Sequence, residues 1–235
     1  MHDLWNAFVR AAELLWELDA ALLEIIGLSL QVSLFAVCIA AVIGLPLGAW
    51  LALHRFPGRQ ICIVFVNAMM GLPPVVVGLV VYLLFSRAGP FGVFGLLFTP
   101  TAMIVAQVIL VTPIIASLTR ESLEGLWAEY DQTLRSLGAS RLQSLQASLW
   151  DGRFVLATAL LAGFGRASAE VGAVMIVGGN IDHVTRVMTT AIALEASKGD
   201  LSLALGLGIV LLALTLSVNA IVYVTRRVAD ARGAG

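Results

Sequence analysis

An arginine and a glutamate lie four residues apart inside a long run of apolar and small residues. At that spacing Arg166 and Glu170 would lie on one face of a helix, on adjacent turns. If the run crosses a membrane, each charge costs about 2.5 to 3.5 kcal/mol near the bilayer centre, so both should face protein or water. Two interpretations stay open: an ion pair that neutralises itself within the helix, or a pair at a pore or dimer interface, where Arg166 would contact an anion only weakly.

Two further motifs would interrupt regular helices. Each proline of Pro73-Pro74 removes a backbone donor, so the apolar run around it should kink and leave carbonyls for a neighbouring helix or a water-lined cavity. Gly178-Gly179-Asn180 permits a sharp turn, and its backbone amides could meet an anion. A plain turn without any ligand explains the same residues.

The chain has none of the sequence patterns that we associate with catalysis. It contains no Gly-x-x-x-x-Gly-Lys loop for phosphate, and no nucleophile with a base in its apolar runs. His183 has no second ligand at metal-binding spacing, so we expect no metal site and treat it as a solvated side chain. We therefore predict no enzyme activity and no cofactor in this chain, with any energy source on a separate subunit.

The composition indicates an all-α integral membrane protein. Apolar residues make up 60% of the 235 and charged residues only 12%, and a helix needs roughly 20 apolar residues to cross a bilayer. We predict about five spans, a short apolar piece at 187–194 that is too short to cross, and an interfacial helix on Leu4, Phe8, Ala12 and Leu15. The predicted spans are 25–53, 61–85, 100–119, 154–177 and 201–224.

The distribution of lysine and arginine predicts the orientation. Nine of the fourteen lie in the connections 54–60, 120–153 and 225–235, four lie in the opposite set, and the last is Arg166. Since basic residues are retained on the cytoplasmic side, we predict an outside N-terminus and an inside C-terminus. We divide the chain into an interfacial segment 1–24, a permeation domain 25–224 and a cytoplasmic tail 225–235.

The predicted cytoplasmic loop at 120–153 contains a helix-turn-helix pattern. Gly138 can adopt the left-handed conformation that ends the first helix, and Ser140 can cap the second. The pair of helices could brace the ends of the spans or provide a docking element for a cytoplasmic partner. The apolar positions on the two helices are Leu126, Tyr130, Leu134 and Leu137, followed by Leu142, Leu145 and Leu149.

This loop resembles the coupling loop of ATP-binding-cassette importer permeases, whose pattern is Glu-Ala-Ala, three residues, then Gly. Gly138-Ala139-Ser140 matches the end of that pattern, whereas Gln132-Thr133-Leu134 replaces Glu-Ala-Ala and Trp150-Asp151 replaces a usual Leu-Pro. Other stretches are similar to the molybdate and tungstate branch, and to tungstate permeases in particular. They are 71–78, 89–95, Gly165-Arg166, 170–173, 177–181 and 185–192.

The resemblance implies a type I importer permease fold in a bacterial inner membrane. It implies a homodimer, ATPase subunits that hold ATP and Mg, and an extracytoplasmic oxyanion-binding protein that delivers tungstate. Molybdate or another tetrahedral oxyanion is the alternative cargo, and an ion-coupled secondary transporter or channel is the alternative class. The implied coupling residues are Leu126, Tyr130, Leu134, Leu137, Gly138, Ala139, Ser140 and Leu142. The implied pathway or gate residues are Pro73, Pro74, Arg166, Glu170, Gly178, Gly179, Asn180, Thr189 and Thr190.

Overall fold

The computed structural model describes residues 5, 9, 20–136, 138 and 140–233 of the chain. Every regular element in these residues is a helix, which confirms the predicted all-α class. A short 3₁₀ turn, Gly92–Phe94, lies between the third and fourth α-helices. The α-helices are α1 (Ala20–Leu53), α2 (Arg59–Met70), α3 (Pro74–Phe85), α4 (Pro100–Ser136), α5 (Arg141–Ser168), α6 (Gly172–Gly178), α7 (Met188–Lys198) and α8 (Leu201–Gly233).

Helix length and hydropathy support the predicted number of spans. In the described part of the chain, three segments are long and apolar enough to cross a membrane: Leu22–Leu53, Pro100–Trp127 and Leu201–Ile221. The count reaches five if two broken pairs, α2 with α3 and the end of α5 with α6, each form one span. The prolines at 73 and 74 explain the first break, as predicted, because neither can donate a backbone hydrogen bond.

The fourth predicted span, 154–177, is not one continuous helix. Helix α5 ends at Ser168 and α6 begins at Gly172, so the chain leaves the helix between them without a proline. The expectation that Arg166 and Glu170 share one helical face is therefore wrong. Arg166 lies in the last turn of α5, where a cation interacts favourably with the negative end of the helix dipole.

Helix α4 is longer than its predicted span. It continues without interruption from Pro100 to Ser136 and contains Pro113, whereas the apolar run ends near residue 119. An ion pair between Arg120 and Glu124, at i and i+4, supports the helix where the sequence turns polar. The first helix of the predicted helix-turn-helix is thus the end of α4, and the second helix is the start of α5.

The N-terminal segment lies almost wholly outside the described residues. Leu4, Phe8, Ala12 and Leu15 are among the residues that the structure does not describe, so the interfacial helix remains a prediction. The two described positions, Trp5 and Val9, are helical and exposed. Helix α1 begins at Ala20, a few residues before the predicted start of the first span.

The helices form two compact units, and α1 and α4 contribute residues to both. Unit 1 consists of residues 1–35, 74–107 and 168–235, and unit 2 of residues 36–73 and 108–167. In unit 1 a core of Leu22, Ala191 and Leu207 joins α1, α7 and α8.

In unit 2 the glycines of α1 and α5 allow close packing on α4. A Cβ on Gly44 would lie 3.1 Å from Ile115, and one on Gly163 would lie 3.0 Å from Val111. Small residues at helix contacts are typical of membrane bundles. Because lipid tails are as apolar as the side chains, hydrophobic burial does not drive helices together in a bilayer, and close packing of the backbones stabilises the contact instead.

Candidate functional site

Glu170 occupies the break between α5 and α6 in unit 1. Its side chain is only 3% exposed, and its carboxylate accepts a hydrogen bond from the backbone N–H of Ala173 at 3.0 Å. The first N–H groups of a helix have no partner within the helix, and a negative charge there is favourable. The Glu170 carboxylate therefore caps the start of α6.

The first turn of α7 is hydrogen-bonded to the same break. The hydroxyl of Thr189 donates to the backbone carbonyl of Glu170 at 2.8 Å, although 19 residues separate them. Thr189 is buried, so the bond is shielded from solvent. The structure thus brings together two residues that the sequence had assigned separately to the pathway.

The turn after α6 is closed by Thr185, whose importance the sequence did not reveal. Its buried hydroxyl donates to the carbonyl of Gly178 at 2.6 Å and accepts from the N–H of Ile181 at 2.9 Å. Gly179 and Asn180 both have positive φ angles, +72° and +52°, which glycine and asparagine tolerate best. The predicted sharp turn at 178–180 is confirmed.

Asn180 and Thr190 connect this turn to α7. The side-chain amide of Asn180 donates to the carbonyl of Thr190 at 3.4 Å. The hydroxyl of Thr190 accepts from the N–H of Val187 at 3.0 Å, and that of Ser29, from α1, accepts from the N–H of Met188 at 2.8 Å. The bonds to the N–H groups of Val187 and Met188 satisfy donors at the start of α7 that the helix itself leaves free.

The predicted proline site leads into a close helix contact. Pro73 lies in the break before α3, and Pro74 is its first residue, where its missing N–H costs nothing. One turn further on, a Cβ on Gly78 would lie 2.8 Å from the Cα of Ala173 in α6. Helices α3 and α6 therefore approach too closely for any side chain at position 78.

A histidine and a glutamate connect the 179–187 segment to α1. His183 Nδ1 lies 2.7 Å from a carboxylate oxygen of Glu24. The hydrogen bond to this carboxylate and its negative charge, together with the nearby Asp182, raise the pKa of His183 above 6.5. Both side chains are exposed, so we regard the contact as a link between α1 and the loop, not as a buried site.

The helix-turn-helix in unit 2 has the local geometry that its sequence predicts. Gly138 has a φ of +82°, the left-handed conformation expected after the end of α4. Ser140 and Gln143 form a reciprocal capping box: Gln143 accepts from the N–H of Ser140 at 2.8 Å, and the Ser140 hydroxyl accepts from the N–H of Gln143 at 3.4 Å. Both predictions for this turn are confirmed.

The apolar coupling residues are described only in part. Leu126 is half-buried, and its side chain would lie 3.0 Å from a Cβ on the buried Gly152 of α5. Leu137 and Ala139 lie outside the described residues, as do the side chains of Tyr130, Leu134 and Leu142. Their role in docking a partner stays a prediction.

The described residues combine two broken helical pairs, glycine-mediated packing and a capped helix-turn-helix. Residues 44–232 match the family model of the binding-protein-dependent transport system inner membrane component. The chain belongs to this family.

In the residues that the structure describes, no group of three or more His, Cys, Asp or Glu is placed to hold a metal ion.

Relatives within this permease family match almost the entire chain. A tungstate uptake system permease protein, TupB, from Peptoclostridium acidaminophilum is 40% identical over 95% of this chain and 98% of its own length. TupB from Campylobacter jejuni is 35% identical over 95% and 94%. A probable anion ABC transporter permease protein from Haloferax volcanii is 41% identical over 85% and 88%.

Proposed function

We propose that this chain is the membrane-spanning permease subunit of an ATP-driven importer that carries tungstate into the cell. The observation that supports this most directly is the full-length similarity to two tungstate uptake permeases, at 40% and 35% identity. The family match at residues 44–232 includes the predicted loop at 120–153 and both broken helical pairs. The tungstate dianion would be the cargo, not a resident ligand.

In this proposal two copies of the chain form the pathway around a two-fold axis, the commonest symmetry of homo-oligomers. Two ATPase subunits, which hold ATP and Mg, dock beneath the 120–153 loops. An extracytoplasmic binding protein delivers the anion from the other side. The complex lies in the inner membrane, with the C-terminus of this chain in the cytoplasm, as the lysine and arginine distribution indicates.

ATP binding closes the ATPase pair and moves the loops that contact it. Because α4 and α5 continue from the predicted spans into this loop without a break, movement of the turn at Gly138 would be passed directly to both spans. The pathway then switches from inward-facing to outward-facing, and the delivered anion enters. The helix-turn-helix thus serves as a docking element and not only as a brace.

The polar groups of unit 1 favour a pathway that holds its anion only transiently. The carboxylate of Glu170 and the hydroxyls of Thr185, Thr189 and Thr190 bond to backbone groups. Side chains engaged in this way fix the shape of the backbone and have little capacity left to bind an oxyanion tightly. Weak binding suits rapid release, so selectivity would reside in the binding protein.

The first test is accumulation of tungsten and molybdenum, measured by elemental analysis in cells with and without this chain at trace supply of each. Loss of tungsten uptake alone supports the proposal. Equal loss of both metals widens the cargo to tetrahedral oxyanions in general, which the anion transporter relative also supports. Unchanged uptake of both contradicts the proposed cargo.

A second test separates the importer from an ion-coupled secondary transporter or channel. The chain is reconstituted in liposomes in three ways: alone, with its ATPase, and with an ATPase variant that binds but does not hydrolyse ATP. Each sample is assayed with and without the binding protein and ATP. Tungstate accumulation only with the active ATPase, the binding protein and ATP supports the proposal. Accumulation by the chain alone, driven by an ion gradient, contradicts it.

A further inference from the structure

A cluster of three charged side chains in unit 2 connects three helices. Glu124 of α4 receives one hydrogen bond on each carboxylate oxygen: Arg120 Nη1 donates to Oε2 at 2.7 Å, and Arg59 Nη2 donates to Oε1. Arg59 is the first residue of α2, and its Nε donates to the carbonyl of Leu51, near the end of α1, at 2.7 Å. We call Arg59, Arg120 and Glu124 the arginine clamp.

The bond to Leu51 uses a carbonyl that its own helix cannot satisfy. The last four carbonyls of an α-helix lack an intrahelical partner, and α1 ends at Leu53. Arg59 thus caps α1 while it binds α4, and its planar guanidinium has enough donors for both tasks. Removal of its carboxylate partner would disturb both contacts.

The clamp is partly shielded from solvent, so its charges matter more than those of a surface pair. The side chains are 24% exposed for Arg59, 16% for Arg120 and 32% for Glu124. One glutamate faces two arginines, and neutralising it would leave two like charges close together. Removing one partner from a shielded charge cluster is more damaging than losing an exposed ion pair.

The position of the clamp along α4 gives it a mechanical role. It lies just beyond the apolar run, and the helix continues another 12 residues from Glu124 to Ser136, about 18 Å. Beside it, Leu123 is completely buried, and Leu126 contacts α5 near Gly152. We call the last part of α4, residues 125–136, the helical arm, because it leads to the turn at Gly138. The clamp therefore holds the base of this helical arm.

We propose that Glu124 is a positioning residue that passes movement of the 120–153 loop to α1 and α2. The helical arm would pivot about its clamped base, and the two arginines would make the α1–α2 connection follow it. This inference rests on the proposed importer function and adds to it a residue through which ATP hydrolysis is coupled to transport. It needs no contact between Glu124 and the anion or the ATPase.

The test uses the complete importer in liposomes, with tungstate and ATP, and measures tungstate transported per ATP hydrolysed. For Glu124→Gln we expect this ratio to fall roughly threefold to thirtyfold, while ATP hydrolysis and assembly with the ATPase persist. The matched control is Glu121→Gln, which neutralises an exposed carboxylate on the same helix. The control should keep the wild-type ratio.

A charge exchange distinguishes coupling from a general loss of stability. Arg59→Glu and Glu124→Arg should each lower the ratio, whereas the double variant retains two arginines and one carboxylate and should recover much of it. An unchanged ratio in Glu124→Gln, an equal loss in Glu121→Gln, or a double variant no better than either single change would overturn the inference. A wild-type complex that transports no tungstate would instead contradict the proposed function.

Discussion

The two units stabilise their irregular segments by different means. In unit 1, the break at 169–171 and the turn at 178–187 are fixed by short side chains that bond to backbone groups, as Thr185 and Thr189 do. In unit 2, long charged side chains join the end of α1 and the start of α2 to the interior of α4. The difference follows exposure: Thr185 and Thr189 are buried, whereas Arg59, Arg120 and Glu124 are 16% to 32% exposed, so that their charges remain partly solvated.

The two kinds of contact also suit different roles. Hydrogen bonds from threonine to backbone lock one local geometry, because each hydroxyl reaches only a few ångströms. An ion pair between helices tolerates larger shifts, since its attraction falls slowly with distance. Under the proposed function, we expect unit 1 to keep the shape of the pathway wall and unit 2 to transmit motion.

The largest expected effect is at the turn that ends α4. Gly138→Pro should abolish coupled tungstate uptake, because proline holds φ near −65° and the native φ is +82°. Insertion into the membrane should persist, since the turn lies outside the apolar runs. Uptake per ATP hydrolysed in the reconstituted complex measures the effect, and Leu134→Glu should resemble it. Wild-type uptake by Gly138→Pro would show that the turn does not couple the two reactions.

The second prediction compares helix contacts in the two units. A Cβ on Gly78 of unit 1 would lie 2.8 Å from Ala173 Cα, and one on Gly48 of unit 2 would lie 2.4 Å from the Ala116 carbonyl. Each change to alanine should destabilise the protein by about 1 to 3 kcal/mol, as overpacking does. Gly27→Ala is the control, because nothing lies within 4 Å of its Cβ. Thermal unfolding in detergent measures the difference, and equal midpoints for all three variants would contradict it.

The third prediction concerns the buried bonds at the break in unit 1. Glu170→Ala leaves the N–H of Ala173 without its carboxylate acceptor and should cost about 1 to 3 kcal/mol of unfolding free energy. Glu170→Gln keeps an oxygen acceptor and should cost less. Thr189→Val removes only the bond to the Glu170 carbonyl, and we expect a loss of about 1 kcal/mol. If Glu170→Ala and Glu170→Gln unfold at the same temperature, the side chain does not cap α6.

The smallest expected effect is the pH dependence of the His183–Glu24 contact. The pKa of His183 is raised by the Glu24 carboxylate, so the contact contributes stability below pH 6.5 and loses it as the pH rises through the raised value. His183→Gln should therefore lower the unfolding temperature slightly at pH 6 and leave it unchanged at pH 9. Glu24→Gln should remove the pH dependence, and a difference that grows with pH would contradict the assignment.

Local sequence signals succeeded where one residue decides the conformation. Gly138 and Ser140 were predicted as a helix end and a cap, and both have that geometry. The break at Pro73-Pro74 follows from the same kind of signal, because two successive prolines remove two backbone donors, whereas the single prolines Pro46 and Pro113 lie within continuous helices. Apolar runs likewise predicted the spans, since the bilayer imposes their length.

Local sequence patterns did not predict the break at 169–171, to which a residue far along the chain contributes a hydrogen bond. The run around Glu170 contains no proline, and its i,i+4 spacing to Arg166 favoured a continuous helix. The available hint was an acidic residue just before Gly172 and Ala173, a composition typical of a helix start. The hydroxyl of Thr189, 19 residues further along, also contacts the break, and no local pattern could predict that bond.

The sequence by itself determined the membrane class, the approximate spans and the turns at Pro73-Pro74, Gly138 and Gly178-Gly179-Asn180. These depend on hydropathy and on the allowed φ angles of single residues, which act without a tertiary partner. Tertiary structure alone decided that Thr189 bonds to the carbonyl of Glu170, that Ser29 caps α7 and that Arg59 joins α1 to α4. Those roles require atoms from segments far apart in the chain, because a buried or partly buried polar group takes whichever partner the folded helices bring within hydrogen-bonding distance.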